Sequence, residues 1–245
     1  MVDAHLHLPL PAATVLDDQW VGLPASSGPS QWDSLRQDPL CRDTVCFYGL
    51  LPQEFVHIPP NDEIVKAIGN IESFLDDNPR AAIGEIGFDR RYEHTVPMKT
   101  QHVICNALID IAESRNRPVV FHIVRCDGIL VTLLRQRKPK IPMLWHNFLG
   151  SVETAREAST LGCTVSISPF VWRKNVTLQK HLSSLPKSFL LETDYDRDFH
   201  PPEDQALLYH EVLHMHYRRC ADAIGTGVDE LVRRCHEYAA VYTNK

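Results

Sequence analysis

At 245 residues the chain can bury one sizeable core and is close to the ~250 residues of a single (β/α)8 barrel, although two smaller domains also fit that length. Apolar residues make up 44% and charged residues 23%; 31 acidic against 25 basic side chains leave a formal charge of −6, which argues against a broad basic surface that coats nucleic acid. No long apolar run suggests a membrane span, and Met1-Val2-Asp3 lacks the basic-then-apolar opening of a secretory signal.

In chain order, strands are expected at residues 2–8, 18–23, 44–50, 81–87, 118–124, 140–146, 164–168 and 189–194, the second being the weakest. Helical patterns lie between them. Ile104, Ala107, Leu108, Ile111 and Ala112 recur at helical spacing before Arg117-Pro118 stops the run. Ile129, Leu130, Leu133 and Leu134 make a second stripe, and Val228, Leu231, Val232, Cys235 and Ala239 mark a terminal helix that packs on the outside. Near-continuous apolar strands alternating with amphipathic helices mean a parallel sheet covered by helices. Eight strands suit a single α/β domain over 1–245, a closed (β/α)8 barrel. An open doubly wound sheet is the alternative, but no glycine-rich phosphate loop follows the first strand.

The seven cysteines, at 41, 46, 105, 126, 163, 220 and 235, form no C-x-x-C pair and are odd in number. Their scatter predicts no disulfide framework and a reducing compartment, the cytoplasm or else the nucleus.

His5 and His7 sit two apart on the first strand, so both imidazoles point the same way, as two ligands of one ion require. Asp3 shares that face and is expected to support a ligand by a hydrogen bond. Chance alone yields such a D-x-H-x-H run on the order of a few hundredths of a time in a chain of this composition. The stronger signal is positional. Glu85, His122, His146 and Asp194 close four other expected strands, and strand C-termini form the active face of such barrels. Any one of these histidines is more often a satisfied core residue; the convergence of all six side chains is what points to a site. Carboxylates and imidazoles together suit one or two divalent ions, Zn²⁺, Mg²⁺, Mn²⁺ or Fe²⁺, with Glu85 as the candidate bridge.

Five blocks of this sequence resemble a known family. Asp3-Ala4-His5-Leu6-His7, Gly84-Glu85-Ile86-Gly87-Phe88-Asp89, Pro118-Val119-Val120-Phe121-His122, His146-Asn147-Phe148-Leu149-Gly150-Ser151 and Leu191-Glu192-Thr193-Asp194 look like the successive signatures of TatD-type metal-dependent deoxyribonucleases. They follow the family's order over about residues 2–196. The resemblance implies a (β/α)8 barrel, a two-metal site, and phosphodiester hydrolysis, commonly exonuclease action on DNA. It also implies metal-ligand roles for His5, His7, Glu85, His122, His146 and Asp194. Three departures touch substrate recognition. Leu51 stands where the family often has a histidine, no proline follows Asp194, and Ile123-Val124-Arg125 replaces the usual Ser-Arg.

For metal-assisted attack of water on phosphorus, Asp194 is the expected general base and Glu85 its catalytic companion. Arg125, Arg90 and Arg91 are candidate substrate contacts, with Arg173 and Lys174 behind them; each is also readable as solvated surface charge. Glu192 is read as structural. A rival motif, His210-Glu211-Val212-Leu213-His214, matches the H-E-x-x-H pattern of zinc proteases on an expected helix. It is about as rare by chance as the first-strand run, but Tyr217 breaks the extended form and no other strand or helix supports it. The other readings kept open are a barrel metallohydrolase acting on a small phosphodiester, an amide or an ester, and a non-enzymatic interaction protein retaining the fold.

Overall fold

The computed structural model describes residues 1–42, 44–196 and 208–243. Eight parallel strands run in sequence order: β1 (Val2–Leu6), β2 (Val21–Pro24), β3 (Phe47–Tyr48), β4 (Ala82–Asp89), β5 (Val119–Val124), β6 (Met143–Trp145), β7 (Cys163–Ile167) and β8 (Leu190–Leu191). β1 and β2 pair with each other, and β3 to β8 form a continuous ladder. Two isolated bridges close the ring. Ala25 meets Phe47, and Leu6 meets Tyr195. Backbone bonds from Asp194 N–H to the His5 carbonyl (3.0 Å) and from His7 N–H to the Tyr195 carbonyl (2.7 Å) seal β8 against β1. No sheet edge is left open to water, which is the gain from closure.

The expected strands all exist, shorter than expected at several places. The weak second one is real but lies at Val21–Pro24, and the third keeps only Phe47–Tyr48. His7, Glu192 and Asp194 fall just past the regular ends of their strands. Strand ends in a barrel splay into loops at the active face, so the apolar run overstates the ladder.

Helices α1 (Pro29–Gln37), α2 (Asn61–Asp77), α3 (Met98–Ser114), α4 (Asp127–Arg137) and α5 (Val152–Thr160) surround the barrel. α3 turns Ile104, Cys105, Leu108, Ile109, Ile111 and Ala112 inward, the periodicity legible in the sequence. α5 starts at Ser151, whose side chain accepts from the Thr154 N–H. The last helices are α6 (Tyr209–Ile224) and α7 (Val228–Ala239), and α7 packs against β1 and β8. Tyr217 donates to the Val2 carbonyl at 2.9 Å and Tyr242 to the Met143 carbonyl at 2.8 Å, so the tail is tied to the barrel floor.

One expectation from the cysteines is corrected. Cys41 and Cys46 are joined as a disulfide with their Cα atoms 6.1 Å apart, while the other five thiols are free and buried. None of the described helices is long and apolar enough to cross a membrane.

Candidate metal centre

All six expected ligands meet at the C-terminal mouth of the barrel. Glu85 lies at the centre, and its two oxygens face different histidines. Oε1 is 3.8 Å from His5 Nε2 and 3.5 Å from His7 Nε2. Oε2 is 2.9 Å from His146 Nε2 and 3.0 Å from His122 Nδ1. Asp194 joins the first half, with Oδ1 3.7 Å from His5 Nε2 and 3.8 Å from His7 Nε2. The His5 and His146 rings stack at 3.8 Å across the boundary between the halves. Donor atoms of His5, Glu85 and His146, of His5, His7 and Asp194, and of His146, Glu192 and Asp194 each lie within 4.8 Å of one another, a spread that suits one shared cation per group.

Local sequence explains how Glu85 reaches this position. The β4–β5 register slips between Ile83 and Ile86, and such an irregularity re-aims a side chain next to a site. A Cβ on Gly84 would come within 2.7 Å of the Val120 side chain, and one on Gly87 within 2.2 Å of the His122 carbonyl. Both glycines also have positive φ, 154° and 143°. Gly-Glu-Ile-Gly is thus the sequence that lets β4 bend while pressed against the strand that carries His122.

Several of these candidate ligands are held from behind. His7 Nδ1 lies 3.0 Å from the Ala25 carbonyl, to which it donates when Nε2 carries the lone pair. His122 Nε2 is 3.2 Å from Asp89 Oδ2, leaving Nδ1 toward Glu85. Asn147 donates from Nδ2 to Asp194 Oδ2 at 2.8 Å and is itself set by Ser168, whose hydroxyl donates to Asn147 Oδ1 at 2.7 Å. Asp194 and Asn147 both take left-handed backbone conformations, φ 50° and 49°, which short polar residues tolerate. Buried Glu192 accepts from the Asn147 N–H at 2.6 Å and from the Ser166 hydroxyl, and its Oε1 lies 3.8 Å from His146 Nδ1. Its structural reading is therefore too narrow, since it also faces a ligand.

Asp3 supports His5 through the backbone, accepting from its N–H at 3.4 Å, and it also accepts from the Thr193 N–H (2.8 Å), the Thr193 hydroxyl (2.6 Å) and the Tyr209 hydroxyl (2.8 Å). It pins β8 and α6 to β1, one step removed from the ligands. Asp89 is the residue the sequence reading passed over. It stands in the quoted block, yet only the fold brings it under His122 and gives it Arg91, whose Nε and Nη2 lie 3.0 and 2.5 Å from its two oxygens. Arg91 is thereby committed to Asp89. Arg90 donates to the Arg125 carbonyl at 3.2 Å, and Arg173 stacks on Phe170 at 3.9 Å. Arg125 is exposed and lines a cavity beside His122 and His146. Leu51, in place of the family histidine, is fully buried.

Electrostatics give the cluster its chemical character. Burial, with His146 beside it, holds the His5 imidazole well below the usual histidine range, so it is neutral and keeps a lone pair for a metal. Burial pushes Glu85 up, but His146, His122 and His5 more than reverse this and hold it well below the usual carboxylate range. Burial, aided by Glu192 and Glu85, pushes Asp194 up to about 6 despite His146 and His7. Burial lowers His146, yet Glu85, Glu192 and Asp194 hold it well above its ordinary value. Four carboxylates crowd four imidazoles here, a set that calls for added positive charge.

His5 shows that the residues fit a metal. It is fully buried, and neither ring nitrogen has a hydrogen-bond partner. Leaving such polar atoms unmet costs on the order of 1–3 kcal/mol apiece, a penalty that a cation at Nε2 would remove for that nitrogen. In the rival motif His210 Nδ1 is also buried without a partner, but no second donor converges on it among the described residues. Glu211 accepts from the Leu208 N–H at 2.8 Å and so caps α6, His214 is exposed, and no candidate metal group among the described residues includes His210 or His214.

Comparisons with known proteins agree with this architecture. An uncharacterized metal-dependent hydrolase of Methanocaldococcus jannaschii is 27% identical over 198 residues, 78% of this chain and 74% of that protein. The TatD homologue YjjV of Escherichia coli K12 superposes with a TM-score of 0.81 at 18% identity, covering 100% of this chain and 98% of that one. A TatD family hydrolase from Entamoeba histolytica gives a TM-score of 0.70 at 14% identity, over 91% and 84% of the two chains. These two likenesses establish the shared barrel fold. The family model for TatD related DNases matches residues 33–242, and the chain belongs to that family.

Proposed function

We propose that this protein is a divalent-metal-dependent phosphodiester hydrolase acting on DNA, with His5, His7, Glu85, His122, His146 and Asp194 holding one or two ions of Zn²⁺, Mg²⁺ or Mn²⁺. The observation that carries this reading is Glu85. Its two oxygens divide four histidines into two pairs, an arrangement suited to a carboxylate between two cations. When bound, the ions supply positive charge that polarises a phosphate and acidifies water at neutral pH.

The chain's own groups do the rest. Asn147 fixes Oδ2 of Asp194, which leaves Oδ1, on the His5 and His7 side, to accept the proton of the attacking water. Asp89 and the Ala25 carbonyl hold His122 and His7 in the orientation that presents one nitrogen inward. Arg125, at the cavity rim, and Arg90 remain the candidates for contacting substrate phosphates, whereas Arg91 serves the centre through Asp89.

Metal analysis of the purified protein, coupled to a time course on end-labelled single- and double-stranded DNA, tests the proposal. At least one divalent ion per chain is expected, with cleavage that stops on chelation and returns on metal addition. A protein without bound metal, or cleavage indifferent to chelation, would overturn it.

A further inference from the structure

Beside the His122–His146 half of the cluster lies a cavity of about 340 Å³, within the range of small-ligand pockets. Ile123, Val124, Trp145 and Leu149 supply its apolar walls, Arg125 stands at its rim, and Asp127 contributes a carboxylate. Leu149 is 38% exposed, an apolar surface facing the opening rather than packed away. Its apolar walls are continuous with polar groups of the centre, because His122, His146 and Asn147 also line it. An aromatic heterocycle fits this mixture. Its faces meet aliphatic surface, and its edge can donate an N–H to a carboxylate such as Asp127.

We infer that this cavity receives the base of the nucleotide flanking the scissile phosphate, and that Ile123-Val124-Arg125 and Leu149 set how tightly that nucleotide is held. The inference rests on the phosphodiesterase reading for the position of the phosphate, while the cavity itself stands independently of it. The departure from the family's Ser-Arg after His122 then has a physical consequence. β5 continues through Ile123 and Val124 before the chain turns at Arg125 (φ 56°), so aliphatic side chains occupy the wall and the guanidinium is displaced to the rim.

The test compares two substrates of the metal-loaded protein, thymidine 5′-(p-nitrophenyl phosphate) and methyl p-nitrophenyl phosphate, which share a leaving group while one carries a nucleoside and the other a methyl group. Leu149→Trp fills the cavity from an exposed position and is expected to raise the ratio of their KM values about tenfold, the loss of the apolar contact of one base. Calorimetric titration with thymidine 5′-monophosphate is expected to show a matching weakening. Val103→Trp, on the exposed face of α3, controls for the bulk of the new ring and should move neither quantity. Equal KM changes for both substrates, or nucleotide binding unaltered by Leu149→Trp, would overturn the inference, as would wild-type protein that does not bind the nucleotide. If the nucleotide binds and Leu149→Trp weakens it while neither ester is hydrolysed, the base subsite stands and the phosphodiesterase reading falls.

Discussion

Two histidine-rich regions of this chain look equally suggestive as strings of letters, and the fold treats them oppositely. His5 and His7 open the barrel, while His210 and His214 lie on α6. At the barrel mouth, each imidazole meets carboxylates contributed by distant strands. On α6, the glutamate between the histidines turns back to the Leu208 N–H and serves the helix end. A short motif gains chemical meaning only when other segments converge on it. The comparison can be broken or sharpened by removing groups on each side and asking where metal and activity go.

The largest effect belongs to the centre of the cluster. On the proposed mechanism, Glu85→Ala and Asp194→Asn are expected to lower DNA cleavage by about 10³-fold or more, since one removes the proposed shared carboxylate and the other the proposed base. Glu211→Ala should retain wild-type cleavage. A protein whose activity disappears with Glu211 and survives both barrel substitutions would reverse the assignment of the two regions.

Asp89→Asn probes the group behind a ligand. Asparagine keeps the shape but gives up the charge that aligns His122 and holds Arg91. Metal affinity is expected to fall by about 10- to 100-fold, the usual scale for losing a carboxylate partner of a metal-binding histidine. Competition against a fluorescent chelator reads this directly, apart from turnover. Unchanged affinity would mean that the Asp89 contact only braces the fold.

The legibility of the site follows the same division. The first-strand histidines, Glu85, His122, His146 and Asp194 were readable because each ends an apolar run, and a parallel barrel must bring those ends together. Asp89 was not assigned, because its partner His122 is 33 residues away and its role depends on the β4–β5 register. Asp3 was legible only in part for a related reason, since its bond from the His5 N–H is local and its other partners are not. Strand alternation told which face it occupies, but not that Thr193 and Tyr209, about 190 and 206 positions onward, would claim its oxygens. The fold class was legible from periodicity, whereas the two-residue extent of β3 and β8 was not, since barrel closure there relies on bridges and loop hydrogen bonds. The Cys41–Cys46 pair escaped notice because two cysteines five residues apart match no spacing motif.

A third histidine on α6 gives a smaller, pH-dependent effect. His216 is buried; Nε2 lies 2.8 Å from the Ile167 carbonyl, and Nδ1 accepts from Trp172 Nε1–H at 3.1 Å. Those contacts define a neutral ring, and burial, with Arg219 nearby, lowers its pKa to about 4 against the Ile167 bond. Because the folded value lies below the unfolded one of 6.5, His216 adds stability that is fully present above pH 6.5. That contribution declines as pH falls toward 4, by on the order of 3 kcal/mol in all. Urea unfolding from pH 7.5 to 4.5 should therefore be less steeply pH-dependent in His216→Gln than in the wild type. Parallel profiles would show that His216 is not held neutral.

The smallest effect is also the sharpest control on the comparison. If the α6 motif is a helix surface with a capping glutamate, replacing both His210 and His214 with alanine removes nothing that a metal needs. Alanine favours helix more than histidine does, by only a few tenths of a kcal/mol per site, and His214 is exposed. His210 is partly buried with Nδ1 unpaired, so the change relieves an unmet polar atom as readily as it loses contact. These opposing terms should leave stability within about 0.5 kcal/mol of wild type and metal content unchanged. Metal analysis decides the matter more cleanly than activity. Loss of one ion per chain in the double variant would place a metal on α6, and the barrel mouth would then have to share the role that its geometry otherwise claims alone.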